Sequence, residues 1–292
     1  MILYARDYVE SEIIKLKEAV TKLDKAPTLA IIKVGNDHAS TVYVNNKVKM
    51  CEEVGIKSEI YELPEDITEE YLIDFVKCEI NYARNIDGCL IQLPLPKHID
   101  ENKVLEALDP MKDVDGFAKE NLGKLMRGEN ATVACTPRGI IDLLKFYKIP
   151  MVGKNVVIIN RSTIVGKPLT MLFLEEDATV TVCHSKTDGR TMLEHIRNAD
   201  IVVTAIGKPK HFKSTNFSPY TTIVDVSMNR DEDGRLCGDV DKNDYERLIQ
   251  KCCNIVPVPL GIGQTTVLSL IKNVVEIRKR SEYYERRANR CF

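Results

Sequence analysis

The segment Ser40–Lys47 combines residue types that could act together on a bound ligand. On a helix that turns roughly 100° per residue, Ser40, Tyr43 and Lys47 lie within about 60° of one another. A tyrosine one turn before a lysine can orient its amine, and a lysine in a partly apolar pocket can act as a base. Taken alone, these eight residues favour an ordinary surface helix, because Lys49 and further charged residues follow them.

A second candidate is the end of a predicted strand at Gln92. The run from Asp87 to Gln92 predicts a strand, and it stops at Leu93-Pro94-Leu95-Pro96 because proline has no N–H for a strand ladder. Ligands in open α/β sheets bind outside the carboxyl ends of strands. Gln92 is therefore expected to face a ligand.

The turn-rich segment Asp109–Phe117 carries three carboxylates, of which Asp113 and Asp115 lie close together. A calcium loop would need additional oxygen ligands and a glutamate at its twelfth position, and these are absent. The segment predicts either a carboxylate that accepts hydrogen bonds from a ligand or a solvated turn.

A candidate nucleotide site follows the buried-type strand Asn155–Ile159, where the chain reads Asn160-Arg161-Ser162-Thr163-Ile164-Val165-Gly166. A helix that begins near Gly166 would present free N–H groups and a positive dipole end to a pyrophosphate. The motif is not G-x-G-x-x-G and is weak by itself. Further buried-type strands at 178–183, 200–206 and 222–226 predict a parallel sheet around it.

The residues after the second strand of that sheet favour NADP over NAD. NAD sites commonly place an acid there for the ribose hydroxyls, whereas here His184 and Ser185 precede the first acid, Asp188. Arg161 and Ser185 could hold a 2′-phosphate by charge-assisted hydrogen bonds. For His184 and Lys186, ordinary loop polarity is the alternative.

Near the end, Val256–Thr266 is rich in proline and glycine and leads into an amphipathic helix. Such a composition predicts a fixed backbone path that can approach a ligand closely. Gly261 and Gly263 lie in this loop.

The composition is that of an ordinary globular protein. The 292 residues are 44% hydrophobic and 29% charged, with a net charge of −2, so nothing indicates binding to nucleic acid or membranes. The nine cysteines form no CxxC motif, and no secretory or membrane-spanning apolar run occurs, so a reducing, cytoplasmic location is expected. No metal site is predicted.

Several segments together resemble one family along the whole chain, the bifunctional methylenetetrahydrofolate dehydrogenase/cyclohydrolases of folate one-carbon metabolism. The matching segments share the family's order and spacing, and they are Ser40–Lys47 with 51–55, 87–96, 112–116, 135–139, 161–166, 238–240 and 257–259.

The resemblance implies an α/β protein of two domains with a cleft between them. A Rossmann-like, NADP-binding parallel-sheet domain, placed at 139–264, is inserted into a catalytic, folate-binding domain, placed at 1–138 plus 265–292. The implied activity is NADP-dependent oxidation of 5,10-methylenetetrahydrofolate to the methenyl form, then hydrolysis to 10-formyltetrahydrofolate. Tetrahydrofolate derivatives as substrates and a homodimer are also implied.

The resemblance also assigns roles by position. Lys47 corresponds to the catalytic lysine, Tyr43 to its positioning partner, Gln92 to the group hydrogen-bonded to the lysine, and Asp115 to the carboxylate that holds the pterin. The further substrate contacts expected are Leu93, Pro94, Pro259, Gly261 and Gly263. The expected cofactor contacts are Thr136, Asn160, Arg161, Ser162, Ile164, Val165, Gly166, His184, Ser185, Ala205, Ile206, Gly207 and Val226.

Two departures from the family pattern bear on these roles. Leu260, Ile262, Gln264 and Thr265 change four positions of the usual Pro-Gly-Gly-Val-Gly-Pro-Met-Thr, which predicts a reshaped folate-side wall. Asn160 replaces a usual glycine or similar small residue, and monofunctional NAD-linked relatives can carry asparagine there.

Three alternatives follow from the same residues. One is a monofunctional NAD-linked dehydrogenase of this family, and another is a non-enzymatic nucleotide-binding relative. A short-chain dehydrogenase also uses tyrosine and lysine at Y-x-x-x-K spacing, but its nucleotide strand precedes the tyrosine, whereas here the strand follows Tyr43.

Overall fold

The computed structural model describes residues 1–290, with the side chains of all of them except 38, 39 and 288–290. The helices are α1 (Arg6–Thr21), α2 (His38–Val54), α3 (Glu69–Phe75), α4 (Glu101–Ala107), α5 (Lys119–Met126), α6 (Cys135–Phe146), α7 (Gly166–Glu175), α8 (Gly189–Arg197), α9 (Tyr245–Gln250) and α10 (Ile262–Arg290). The strands are β1 (Thr28–Val34), β2 (Lys57–Leu63), β3 (Gly88–Ile91), β4 (Asn155–Ile159), β5 (Thr179–Cys183), β6 (Ile201–Thr204), β7 (Thr222–Asp225), β8 (Asn229–Arg230), β9 (Leu236–Cys237) and β10 (Asn254–Val256).

The chain divides into two compact units. One contains residues 1–10 and 134–266, and the other contains residues 11–133 and the chain from Val267 onward. The α/β class, with two domains and parallel sheets, is confirmed. The functional boundaries 1–138 plus 265–292 and 139–264 stay predictions.

The unit that carries Lys47 is built on a three-stranded parallel sheet in the order β2-β1-β3. All residues of β1 and β3 are buried, as expected where both faces of a parallel sheet are covered. One face packs on Leu72 of α3 and on Val76 and Ile80 of the turn that follows it. Helix α3 is followed directly by a π-helical turn, Val76–Asn81.

Helix α2 has a capping residue at each end. Asp37 accepts a hydrogen bond from the Ser40 N–H at 2.7 Å, which satisfies one of the unpaired donors of the first turn. At the other end, Gly55 ends the helix in the left-handed conformation, with φ +91°. These two caps fix the turns of the helix that carry Tyr43 and Lys47.

The other unit is built on a five-stranded parallel sheet in the order β10-β7-β6-β4-β5. The chain runs from β4 outward to β5 and then crosses to β6, which lies on the other side of β4. Such a reversal of strand order opens a crevice at the carboxyl ends of the strands. The sheet core contains Ile159, Val202 and Ile223, packed with Ile196 and Leu248 of the covering helices.

Two helix starts differ from the sequence-based prediction. Helix α6 begins at Cys135 and includes Pro137 and Gly139, although the sequence pattern, with loop-type residues up to Gly139, predicts a start at Ile140. Pro137 is tolerated because the first four N–H groups of a helix have no intrahelical partner. Helix α10 begins at Ile262, so Gly263 and Gln264 lie in its first turn and not in the preceding loop.

Candidate active site

Lys47 is joined to Gln92 by a hydrogen bond. The Lys47 Nζ donates to the Gln92 Oε1 at 3.0 Å, and both side chains are half-buried. The Gln92 Nε2 donates in turn to the Leu93 carbonyl at 2.6 Å, which fixes the orientation of the amide. The Gln92 N–H donates to the Ile32 carbonyl at 2.9 Å, so the sheet continues one residue past β3 and holds this glutamine at its carboxyl end.

Tyr43 lies one turn before Lys47 on α2 and is 39% exposed. Among the side chains that the structure describes, no hydrogen bond joins Tyr43 to Lys47. The Lys47 amine is therefore oriented by its hydrogen bond to Gln92 and not by Tyr43. The Tyr43 side chain is partly exposed to solvent. An exposed aromatic face next to a polar pair can stack on a flat ligand.

The loop that carries Asp115 is held in place from inside. The buried Asp113 carboxylate accepts hydrogen bonds from the N–H groups of Gly116 and Ala118 at 2.9 and 2.7 Å and from the Asn121 amide at 3.0 Å. Burial raises the pKa of Asp113, and these hydrogen bonds oppose the shift. Asp115 is half-buried. The Asp113 carboxylate therefore holds the loop in place. The sequence pattern did not show which of the two aspartates, Asp113 or Asp115, has this structural role.

The neighbours of the predicted pterin-holding loop explain its rigidity further. The Asn273 amide on α10 donates to the carbonyl oxygens of Val114 and Val133 at 2.7 and 2.9 Å. A Cβ on Gly88 would lie 2.3 Å from the Val114 side chain, so glycine is required at the start of β3. Asp115 thus sits on a loop whose backbone is fixed on both sides.

The part of the predicted Val256–Thr266 segment that precedes α10 takes an unusual backbone path. The Leu93–Pro94 and Val258–Pro259 peptide bonds are both cis. Leu260 has φ +78° and is 54% exposed. A Cβ on Gly261 would lie 2.3 Å from the Pro257 carbonyl oxygen, so this position accepts only glycine without a shift of the backbone.

A cavity of about 560 Å³ lies at the carboxyl ends of β4, β5 and β6. Seven of the predicted cofactor residues line it, namely Asn160, Arg161, Ser162, His184, Ser185, Ala205 and Ile206. Its wall also includes residues that the sequence pattern did not single out, namely Ile159, Thr187, Gly189, Met192, Lys208 and His211. Inspection of the whole loop after β6, instead of its first residues, would have identified Lys208 and His211.

Six predicted cofactor residues do not line this cavity, namely Thr136, Ile164, Val165, Gly166, Gly207 and Val226. Thr136 lies in the first turn of α6, and its Oγ1 is 3.1 Å from the Thr266 Oγ1. Val226 extends β7 by one residue, because its N–H donates to the Thr204 carbonyl at 2.9 Å.

The expectation of free N–H groups at the turn before α7 is wrong for three of them. The Asn160 Oδ1 accepts from the Ser162 N–H at 2.8 Å and from the Gly166 N–H at 3.1 Å. The Val165 N–H donates to the Ser162 Oγ at 3.1 Å. The asparagine that departs from the family pattern therefore holds the turn together internally, and Arg161 supplies a cationic side chain to this part of the cavity.

Residues 1–290 contain neither a described metal-binding cluster nor a membrane-spanning helix. No group of three or more histidine, cysteine, aspartate or glutamate side chains described there could hold a metal ion. No helix in this range is long and apolar enough to cross a membrane.

Comparison with known proteins gives consistent matches. Residues 5–115 match the model of the tetrahydrofolate dehydrogenase/cyclohydrolase catalytic domain, and residues 134–282 match that of the tetrahydrofolate dehydrogenase/cyclohydrolase NAD(P)-binding domain. The "Bifunctional protein FolD" of Agathobacter rectalis is 47% identical over 269 residues, which cover 91% of this chain and 94% of that protein.

Two solved structures extend this similarity to three dimensions. The bifunctional FolD methylenetetrahydrofolate dehydrogenase/cyclohydrolase from Campylobacter jejuni has a TM-score of 0.91 at 38% identity, with 96% and 99% of the two chains covered. The Trypanosoma brucei methylenetetrahydrofolate dehydrogenase-cyclohydrolase, complexed with NADP cofactor and inhibitor, has a TM-score of 0.89 at 32% identity, with 96% and 98% covered.

Proposed function

Because the chain belongs to the tetrahydrofolate dehydrogenase/cyclohydrolase family, we propose that its Lys47–Gln92 pair carries the hydrolytic chemistry and that the cavity beside β4 receives the dinucleotide. The protein is a bifunctional enzyme that oxidises 5,10-methylenetetrahydrofolate with NADP and hydrolyses the methenyl product to 10-formyltetrahydrofolate. The observation that carries the residue assignment is the 3.0 Å hydrogen bond from Lys47 to Gln92 at the carboxyl end of the sheet.

The role of Lys47 follows from charge. Loss of a hydride leaves the folate as a methenyl cation, whose carbon is attacked by water, and a base beside that carbon is needed to take the proton of the water. The neutral Lys47 takes a proton from the attacking water, and its conjugate acid then protonates the ring nitrogen that leaves the former methenyl carbon. Gln92 accepts a hydrogen bond from Nζ and so holds the amine in one position.

Tyr43 and Asp115 bind the substrate in this proposal. The exposed ring of Tyr43 stacks against the flat part of the folate, and the Asp115 carboxylate accepts hydrogen bonds from the pterin. Support for Asp115 comes from the buried Asp113, which fixes the loop before any ligand arrives. Leu93, Pro94, Pro259, Gly261 and Gly263 remain proposed folate contacts.

The side chains of the cavity fit a phosphorylated dinucleotide. Arg161 and Lys208 provide positive charge, and Ser185 provides a hydroxyl, in a wall that carries no aspartate or glutamate among the described lining residues. When bound, NADP supplies the acceptor for the hydride. Arg161 and Ser185 are proposed to hold its 2′-phosphate, which NAD lacks.

Assembly and location are part of the same proposal. We propose a homodimer, as the family resemblance implies, and a cytoplasmic location. The eight cysteines within the described residues are all free, which agrees with a reducing compartment.

A single spectrophotometric experiment tests the function. Purified protein is mixed with 5,10-methylenetetrahydrofolate and either NADP or NAD, and the absorbance of the reduced dinucleotide is followed. 5,10-Methenyltetrahydrofolate is then supplied without dinucleotide, and its decay is measured. We expect NADPH formation and accelerated methenyl decay. Reduction of NAD alone without methenyl decay would indicate a monofunctional dehydrogenase, and no reaction in either assay would indicate a non-enzymatic relative.

A further inference from the structure

A buried carboxylate lies behind the cavity wall. Asp239 is fully buried, and its Oδ2 accepts hydrogen bonds from the Thr204 Oγ1, the Ile206 N–H and the Ser227 Oγ, each at 2.8 Å. Its Oδ1 accepts from the Lys208 N–H at 2.9 Å and from the Asn229 amide at 3.0 Å. Five donors from two segments of the chain, 204–208 and 227–229, therefore converge on the Asp239 carboxylate.

These hydrogen bonds fix the turn that faces the dinucleotide. Ile206 and Lys208 line the cavity, and both donate their N–H groups directly to Asp239. The N–H of the intervening Gly207 donates to the Ser227 Oγ at 3.0 Å, and this hydroxyl is itself bonded to Asp239. One carboxylate thus sets three consecutive backbone amides, those of the two wall residues directly and that of Gly207 through the Ser227 hydroxyl.

Asp239 is itself held firmly. Its N–H donates to the Asp225 Oδ1 at 3.0 Å, and the next N–H, that of Val240, donates to the Asp225 Oδ2 at 2.8 Å. A Cβ on Gly238 would lie 1.9 Å from the Asp225 carboxylate, so the segment approaches the end of β7 as closely as a backbone can. The carboxylate of Asp239 therefore has one available position.

We infer that Asp239 is a positioning residue for NADP, which sets dinucleotide affinity through the backbone of residues 206–208 and does not itself line the cavity. This inference rests on the proposed function of the cavity. It gives the Gly238-Asp239-Val240 segment a specific task in the dehydrogenase step. The hydrolytic step needs no dinucleotide, so it offers an internal measure of whether a change at Asp239 is merely disruptive.

The test is Asp239→Asn. An asparagine keeps the shape but has one acceptor oxygen and places an NH2 donor against N–H and hydroxyl donors, so at least one of the hydrogen bonds to the turn is lost. We expect the Kd for NADP, measured by titration calorimetry, to rise about tenfold or more, in the range that loss of a charged hydrogen-bond acceptor produces. Hydrolysis of 5,10-methenyltetrahydrofolate without dinucleotide should stay within about threefold of the unaltered protein.

Two further variants complete the experiment. Ser227→Ala removes only the hydroxyl between Gly207 and Asp239 and should give a smaller rise in the NADP Kd, and it decides the matter if Asp239→Asn does not fold. Asp241→Asn is the matched control, because this buried carboxylate two residues on accepts from Lys213 and the Asn243 N–H, which lie outside the cavity wall. It should leave the NADP Kd unchanged.

Two outcomes would overturn the inference. One is an NADP Kd that is unchanged in both Asp239→Asn and Ser227→Ala. The other is a parallel loss of NADP binding and methenyl hydrolysis, which would indicate general destabilisation. If the unaltered protein neither binds NADP nor hydrolyses the methenyl substrate, the proposed function fails instead, and the two failures are distinguishable.

Discussion

Lys47 can be separated from the hydride step by a substitution that keeps its length. Lys47→Met removes the amine but retains a long, flexible side chain on α2. We expect methenyl hydrolysis to fall by about 10²–10⁴-fold, the usual contribution of a general base or acid, and the hydride step to fall by less than about tenfold. Methenyl decay and NADPH formation, measured on the same preparation, check this prediction.

The control for that change is Lys49→Met, which removes the same group from an exposed position two residues further along α2. Both of its activities should match those of the unaltered protein. Unchanged methenyl hydrolysis in Lys47→Met would refute the assignment of the base.

Arg161 should distinguish between the two dinucleotides. Because a guanidinium binds a phosphate by charge-assisted hydrogen bonds, Arg161→Ala is expected to raise the KM for NADP by about tenfold or more and that for NAD much less. Steady-state kinetics with each dinucleotide measure the ratio. Arg197→Ala, at the exposed end of α8, serves as the control. Equal effects on NADP and NAD would remove the 2′-phosphate argument.

Asp225 makes stability depend on pH in a defined direction. Burial raises the pKa of Asp225 to about 7, and the hydrogen bonds from Val240 and Asp239 oppose the shift. Between pH ~4 and ~7 the unfolded chain releases this proton while the folded chain keeps it, so the free energy of unfolding falls as pH rises. The stability of the unaltered protein relative to Asp225→Asn should therefore decrease across this window and level off above it.

Urea unfolding at a series of pH values measures this difference. Asp200→Asn is a control of opposite sign, because the Asn155 N–H lowers the pKa of Asp200. There the unaltered protein should lose stability relative to the variant as pH falls through the acidic range. Parallel pH profiles for Asp225→Asn and the unaltered protein would contradict the prediction.

Residue types and spacing predicted part of the candidate site. Tyr43, Lys47 and Gln92 could be identified because a helical repeat and a proline-terminated strand place them, and Arg161 because it follows a buried strand. Asp239 could not be assigned a task in this way, because its donors come from residues 204–208 and 227–229, which only the folded chain brings together. The internal hydrogen bonds of Asn160 were missed for the same reason.

At the scale of elements, strands were predicted more reliably than helix starts. The strand Asn155–Ile159 was predicted with its observed limits, since an uninterrupted Val and Ile run leaves little choice. The sequence places the start of α6 five residues late, because Pro137 and Gly139 are typical loop residues. Gly139 is instead required within the helix, since a Cβ there would lie 2.5 Å from the Thr265 hydroxyl.

Leu260, just before α10, stores backbone strain that can be relieved. Its φ of +78° lies in the left-handed region, which costs a residue with a Cβ about 1–2 kcal/mol, and its side chain is largely exposed. Glycine in the unfolded chain has more conformational freedom, which offsets part of the gain. We expect Leu260→Gly to raise the free energy of unfolding by roughly 1 kcal/mol, measured by urea denaturation.

The matched control is Leu236→Gly in β9, an exposed leucine without a positive φ. It should lower the free energy of unfolding, because glycine in a strand is unfavourable. A loss of stability in both variants would show that Leu260 contributes packing that outweighs its strain.

At the scale of the whole molecule, the proposed homodimer is open to direct measurement. Strand β2 lies at an edge of its sheet and leaves Ile60 44% exposed, and an unpaired edge strand can pair with another chain. Sedimentation at micromolar concentration is expected to give a mass of twice 33.0 kDa. A mass of 33.0 kDa across the whole concentration range would contradict the dimer.

The cavity wall also has a practical meaning for protein engineers. Every residue that lines it comes from the stretch 159–211, so the proposed assignment of this cavity to the dinucleotide predicts that dinucleotide preference can be exchanged between relatives as a single segment. A graft that ended at His211 would, however, leave Ser227 and Asp239 to the recipient, and with them the hydrogen bonds that shape the imported wall. The shortest segment that would carry the cavity wall together with these hydrogen bonds therefore extends to Val240.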